Sequence, residues 1–235
     1  MNTFKQLSLL LRFIRLERFL GSLIFSYQRD WWERQSSNSQ TSQPVQEPGK
    51  LLQAESTARG ACFYFEQTEL EVSFLSPDLV RVDWKPGIPP IPYGIARQDW
   101  SEVETQLDET GEGWVLSSTA LKILITEKGS LKLQNADGQT LREELPPQRQ
   151  GEAWTHRTQL REEEHLYGLG ERAASLDLRR PKTEAQQIES YRLWHYDAGG
   201  IYSSGTDPLY LCIPVYMGLH REGSYLVFYE NTYSG

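Results

Sequence analysis

From Ala61 to Leu160, apolar and polar positions alternate with period two in short runs, broken by turn signals at intervals of about eight to twelve residues. Phe63 to Phe65 opens the series, and Leu70, Val72 and Phe74 then alternate with Glu71 and Ser73. Ser76-Pro77-Asp78 turns the chain into Leu79 to Trp84, where Val80, Val82 and Trp84 share a face. Trp114 to Leu116, Leu121 to Ile125 and Leu131 to Leu133 repeat the pattern. Asn135-Ala136-Asp137-Gly138 then supplies residues that tolerate a hairpin turn before Thr140 and Leu141, and Glu152 to Leu160 closes the series. The Pro-rich piece from Lys85 to Tyr93 reads as an extended loop, because proline cannot donate to a ladder. Many short strands without intervening helices predict an all-β, antiparallel two-sheet sandwich over residues 51–235 rather than βαβ units.

The N-terminus follows another period. Leu9, Phe13, Leu16, Leu20 and Leu23 recur at spacings of four and three, which predicts an amphipathic helix within residues 1–32. Residues 33–50 are polar, Ser/Gln-rich and broken by proline, so a disordered linker is expected there. The uncharged run from Phe19 to Gln28 is too short to span a bilayer, and charges break any would-be secretory signal. Two readings of the helix stay open: a basic face on a membrane surface or partner, anchored by Trp31 and Trp32, or packing on its own protein.

Near the C-terminal end a Gly-rich, aromatic-rich loop leads into an apolar run. Pro208 is suited to the start of a strand, after which Leu209, Leu211, Ile213 and Val215 fall on one side and Tyr210, Cys212 and Tyr216 on the other. That pattern predicts a strand buried on both faces, which would hold Asp197-Ala198-Gly199-Gly200 rigidly before it. Tyr225 to Tyr229 is expected to form a final strand.

Composition narrows the partners. The 235-residue chain carries a formal net charge of -8, which disfavours nucleic acid, although residues 1–35 hold six Lys or Arg against three Asp or Glu. Cys62 and Cys212 lie in strand-like runs without metal-ligand spacing, so both read as buried free thiols, and a reducing, cytoplasmic setting is expected. No metal or other cofactor is expected. Gly168-Leu169-Gly170-Glu171-Arg172-Ala173 formally fits a dinucleotide fingerprint, but charged residues precede it and no helical pattern opens within it, so a tight turn is the better reading. Arg179 to Glu189 reads as a solvated charge run. His156, His165 and His220 read as strand or turn residues.

Tyr-Gly-Leu-Gly-Glu at 167–171, Tyr-Arg-Leu-Trp-His-Tyr-Asp-Ala-Gly-Gly at 191–200 and Asp-Pro-Leu-Tyr-Leu-Cys-Ile-Pro-Val-Tyr at 207–216, in that order, resemble the N-terminal sandwich of glycoside hydrolase family 31, the α-glucosidase and α-xylosidase family. The resemblance is densest from Tyr167 to Gly235 and absent from the first fifty residues. It implies a galactose mutarotase-like fold, with Glu171 in a structural turn. It also implies that Asp197 contacts the terminal sugar of an α-linked oligosaccharide or glucoside; a carboxylate suits that task, because it accepts hydrogen bonds from adjacent hydroxyls. Gly199 and Gly200 belong to the same loop, and Trp194 and Tyr196 offer either apolar surface for a sugar face or core packing. His195 stands where the family often has Asn.

In that family the retaining pair, two carboxyl groups about 5 to 5.5 Å apart, sits on a TIM barrel that follows the sandwich. No such barrel is present, so no catalytic residue is assigned. The chain is expected to be a fragment or short product of such an enzyme and not to hydrolyse glycosides alone. Three alternatives stay open: a free-standing carbohydrate-binding module, an aldose mutarotase, which needs a His and a Glu facing each other inside the sandwich, and, because of the N-terminal helix, a purely structural or interaction protein.

Overall fold

The computed structural model describes residues 16–37, 43–87, 94–96, 99–180, 190–195, 202–207 and 209–230. Two compact units divide at Pro44 and Val45. In the first, α1 (Leu16–Ser37) extends beyond the expected boundary at Trp32. Its side chains Leu20, Leu23, Ile24, Phe25 and Tyr27 are exposed, and the rings of Trp31 and Trp32 meet edge to face at 5.1 Å. Among the described residues, no helix is long and apolar enough to cross a membrane.

The second unit is built on two antiparallel sheets. β1 (Leu51–Thr57), β2 (Gly60–Phe65), β3 (Glu69–Ser76) and β4 (Leu79–Trp84) form a four-stranded meander. β5 (Gln106–Thr110), β6 (Gly113–Ser117), β7 (Leu121–Thr126), β8 (Leu131–Asn135) and β9 (Thr140–Glu144) form the second sheet, which β12 (Thr158–Gln159) extends beside β9. The small hairpin of β10 (Gln148–Gln150) and β11 (Ala153–Thr155) lies between β9 and β12 in sequence.

Strand alternation builds the core. Phe63, Leu70, Val72 and Phe74 from the first sheet join Leu116, Ile123, Ile125 and Leu131 from the second in one cluster with almost no solvent exposure. Burying each such side chain stabilises by about 1.5–3 kcal/mol, and a one-residue slip would turn the whole set outward, so the pattern fixes the register.

The expected linker is ordered at its C-terminal end. Gln46 and Arg149 exchange two backbone hydrogen bonds of 2.8 Å, and Pro48 is fully buried. Its N-terminal part is helical to Ser37, so polar composition hid both a helix end and an anchored segment.

A third sheet of β13 (His165–Gly170), β14 (Cys212–His220) and β15 (Gly223–Phe228) completes the described unit. Its inner face is polar and aromatic. Arg142 on β9 donates to Glu144 (2.6 Å), to Tyr216 Oη (2.5 Å) and to Thr158 Oγ1 (2.6 Å), with its guanidinium over the rings of Tyr216 and Tyr225. Tyr225 Oη donates to Glu164 at 2.5 Å, and burial together with that carboxylate pushes its phenol above the ordinary range. Burial likewise pushes Tyr229 up to about 12.

Candidate functional site

The Gly-Leu-Gly segment is a distorted strand rather than a tight turn. Gly168, Leu169 and Gly170 have φ of 123°, 66° and 89°, and the pairing of β13 with β14 shifts register between the two glycines. A Cβ at Gly170 would collide with the Leu211 carbonyl oxygen, so the expected close backbone approach is present, within a bulge. The bulge turns the chain so that Glu171 N donates to Leu211 O at 2.7 Å and Arg172 enters the interior. Glu171 thus has a backbone structural role.

Arg172 and Asp207 form an ion pair whose side chains are 3% and 5% exposed. Arg172 Nη2 also donates to Leu169 O and to Arg192 O, each at 3.1 Å, and the guanidinium lies over the Tyr191 ring at 5.3 Å. The second oxygen of Asp207 accepts from Arg192 N at 2.8 Å. Gly205 N donates to Ala173 O at 2.7 Å, and Ala173 N to Thr206 O at 3.3 Å. Residues 191–192 and 205–207, the two ends of the Gly-rich loop, are therefore fastened to one point behind β13. Burial pushes the Arg172 guanidinium below its ordinary value, yet arginine in a protein keeps its proton.

Sequence reasoning missed this clamp. Arg172 falls within the fingerprint-like glycine motif, and Asp207 is only the first residue of the motif at 207–216. Only their positions at the edges of motifs flanking the same loop hinted that they meet.

Of the predicted loop residues, Tyr196, Asp197, Gly199 and Gly200 lie outside the described residues. Trp194 is described and is 41% exposed, so it is a surface ring rather than core. His195 is held against the segment leading into β14. Its Nδ1 lies 3.1 Å from Cys212 N and 3.2 Å from Tyr210 O, so the ring is tied to the backbone at the start of β14.

The expected strand from Leu209, buried on both faces, is corrected. β14 begins at Cys212, and although Leu209 is buried, Leu211, Ile213, Met217 and Leu219 are exposed. An apolar sequence thus did not translate into burial at these positions. Cys212 and Cys62 are free, as read, but half-buried rather than buried. Arg179 is not solvated either, since it donates to the carbonyls of Arg161 (2.6 Å) and Glu164 (2.7 Å). Residues 181–189 of that charge run lie outside the described residues.

The buried acid and the buried imidazole are committed elsewhere. Glu164 takes Tyr225 Oη and Arg161 N, while His220 donates from Nε2 to Leu141 O (2.9 Å) and accepts Glu222 N at Nδ1 (3.2 Å). Neither has a free atom to offer a sugar ring oxygen or anomeric hydroxyl. A cleft of about 280 Å³, lined by Leu75, Pro77, Trp100 and Val103 among others, draws no residue from the loop.

Residues 69–235 match the family described as glycosyl hydrolase 31 N-terminal galactose mutarotase-like domain. Alpha-glucosidase 2 from Bacillus thermoamyloliquefaciens is 24% identical over 180 residues, covering 73% of this chain and 22% of that protein. The Flavobacterium johnsoniae GH31 dextranase, solved with isomaltotriose, superposes with a TM-score of 0.64 at 19% identity, over 80% of this chain and 23% of the dextranase. The cycloalternan-forming enzyme from Listeria monocytogenes, solved with a pentasaccharide substrate, gives 0.57 at 16% identity, over 74% of this chain and 17% of that enzyme. The chain thus spans about a quarter or less of the length of these relatives, and the structural likenesses establish the fold.

Proposed function

Because the chain belongs to the glycosyl hydrolase 31 N-terminal galactose mutarotase-like domain family, we propose that it is the substrate-positioning sandwich of a retaining α-glucosidase-like hydrolase acting on terminal α-glycosidic bonds. The observation that carries this reading is the buried Arg172–Asp207 clamp, which closes the base of the loop bearing Asp197. A loop fastened at both ends can present a carboxylate at low entropic cost, and a carboxylate accepting two sugar hydroxyls fixes the orientation of a terminal glucose. Trp194, exposed beside that loop, supplies ring surface for a sugar face. The bond-breaking carboxyl pair is assigned to a barrel in the same polypeptide, so this chain alone binds or orients and does not hydrolyse. Its unpaired thiols fit a reducing, cytoplasmic setting, and the basic residues of the first fifteen together with the exposed Trp31 and Trp32 of the helix fit contact with a membrane surface.

The test is the intact mass of the native product together with Asp197→Ala. A product much larger than 27.1 kDa, in which the substitution raises KM for an α-glucoside at least tenfold, agrees with the reading. A product at 27.1 kDa that binds sugar through Asp197 would make it a binding module instead. An unchanged KM in the larger enzyme would remove Asp197 from the site. The mutarotase alternative gains nothing from His220 and Glu164, and an unchanged rate of glucose anomerisation in the presence of the chain would close it.

A further inference from the structure

The cleft at Trp100 lies where the β3–β4 hairpin, the β6–β7 turn and the segment entering β5 meet, so both large sheets contribute to it. Hydrogen bonds hold its walls in place. Ser118 Oγ accepts from Leu121 N at 3.1 Å and donates to Pro77 O at 2.5 Å, which ties the turn of one sheet to the hairpin of the other. Arg59, between β1 and β2, donates from Nη2 to Trp100 O at 2.5 Å, and its own carbonyl accepts from Phe74 N at 2.8 Å. The segment at Trp100 is therefore hung on the four-stranded sheet, and Val103 packs against the core. Trp100, Leu75, Pro77 and Val103 give the cleft its apolar lining. Glu102, Glu104 and Thr119 add hydrogen-bonding oxygens, and both glutamates are exposed. Among the described residues, no lysine, arginine or histidine lines it.

We infer that this cleft is a second carbohydrate site, which takes an inner glucose ring of an α-glucan chain, an inference that rests on the carbohydrate reading proposed above. Two carboxylates with no cation beside them repel phosphate, sulfate and carboxylate ligands and leave a neutral polyol or a cation. The apolar lining decides between these. A compact ammonium is strongly hydrated and gains little from Leu75, Pro77 and Val103, whereas the C–H face of a pyranose is covered by such side chains and by an indole ring. Hydroxyls at the edge of that ring then donate to Glu102 and Glu104, in charge-assisted bonds. The volume of about 280 Å³ falls just below the range of about 300–1,000 Å³ that encloses a whole small ligand, so one ring of a longer chain is the matching occupant. No residue of the cleft comes from the loop that bears Asp197. A polymer held at the cleft and at the loop together gains in effective concentration, so the second site favours long chains over single glucosides.

Cyclic glucans of α-1,4 and of α-1,6 linkage have no terminal glucose, so they report on the cleft and not on the loop. Saturation-transfer difference NMR of each is recorded with the purified native gene product, with Trp100→Ala and with the double variant Glu102→Gln/Glu104→Gln, whose amides keep the volume of two exposed side chains. Transfer to at least one cyclic glucan is expected, with half-saturation at about 1–10 mM for a contact of one ring. In both variants the affinity should fall by about fivefold or more, through loss of the ring face in one and of the charged acceptors in the other. Where Trp100→Ala does not keep the parent's circular dichroism, the double variant decides alone. No transfer to either glucan, or unchanged affinity in a folded variant, would overturn the assignment. Transfer to spermidine and to neither glucan would overturn it in favour of a cationic ligand. The two carbohydrate readings fail separately. Binding of a cyclic glucan together with an unaltered KM in Asp197→Ala defeats the loop and leaves the cleft standing, whereas a raised KM with no binding of cyclic glucan does the reverse.

Discussion

Removing one partner of the buried clamp should destabilise the sandwich in a way that depends on pH. In Arg172→Met the Asp207 carboxylate keeps the Arg192 N–H at 2.8 Å but loses its counter-charge in a site where it is 5% exposed. Breaking a buried pair in this way costs about 3–5 kcal/mol. A ceiling comes from the alternative open to the side chain, which is to take up a proton. Holding a carboxyl of ordinary pKa near 3.9 neutral at pH 7 costs about 1.36 kcal/mol per pH unit, or roughly 4 kcal/mol. The variant's Asp207 therefore has a folded pKa raised above its unfolded value, so stability is retained near pH 4 and lost as pH rises toward the folded pKa. Urea unfolding followed by circular dichroism at pH 5, 6 and 7 should show a deficit of about 1.5, 3 and 4 kcal/mol relative to the parent. Arg172→Met combined with Asp207→Leu should recover most of the loss, because an apolar pair of similar volume carries no stranded charge. Where the lesion opens only the loop base, chymotrypsin will cut faster after Trp194 and Tyr202, which flank the loop tip. A deficit below about 1 kcal/mol that is the same at all three pH values would refute the clamp as a buried, loop-closing ion pair.

The sandwich was legible because alternation is a local signal and its consequence is local. Leu70, Val72 and Phe74 read as one face of a strand, and all three are buried in the cluster they predict. The loop site was legible only through its motifs, since nothing in the spacing of Arg172 and Asp207 indicates that they pair across the base of a loop. The apolar run from Leu209 misled for a related reason. Apolar residues on both sides of a strand state that both faces want cover, whereas burial depends on what lies beyond the sheet, and Leu211 and Ile213 are exposed. Gln46 to Lys50 shows the converse, since polar and Pro-rich residues were fixed by backbone hydrogen bonds that composition cannot foretell.

Gly170→Ala should lower Tm by about 5 °C or more, since a positive φ costs an L-residue roughly 1–2 kcal/mol and the new methyl meets the Leu211 carbonyl. Gly138→Ala, with φ of 80° but open space around its Cβ, should lose only the conformational part, and equal losses at the two sites would contradict the close approach in the bulge. The final prediction concerns acid. Asp177 lies 2.7 Å from His165 Nδ1 on β13 and accepts Arg179 N at 3.1 Å. Burial opposes its charge, but these hydrogen bonds outweigh burial and hold its carboxyl below the usual range. A depressed folded pKa contributes stability above the unfolded value of about 3.9, and that contribution is lost as pH falls through the folded value. The stability gap between the parent and Asp177→Asn, measured by urea titration, should therefore be constant from pH 7 to pH 5 as far as this carboxyl decides it, and should shrink below about pH 4. A gap of the same size at pH 5 and pH 3 would mean that Asp177 acts through shape and neutral hydrogen bonding, and that its charge does not help fasten the segment after β13 to that strand.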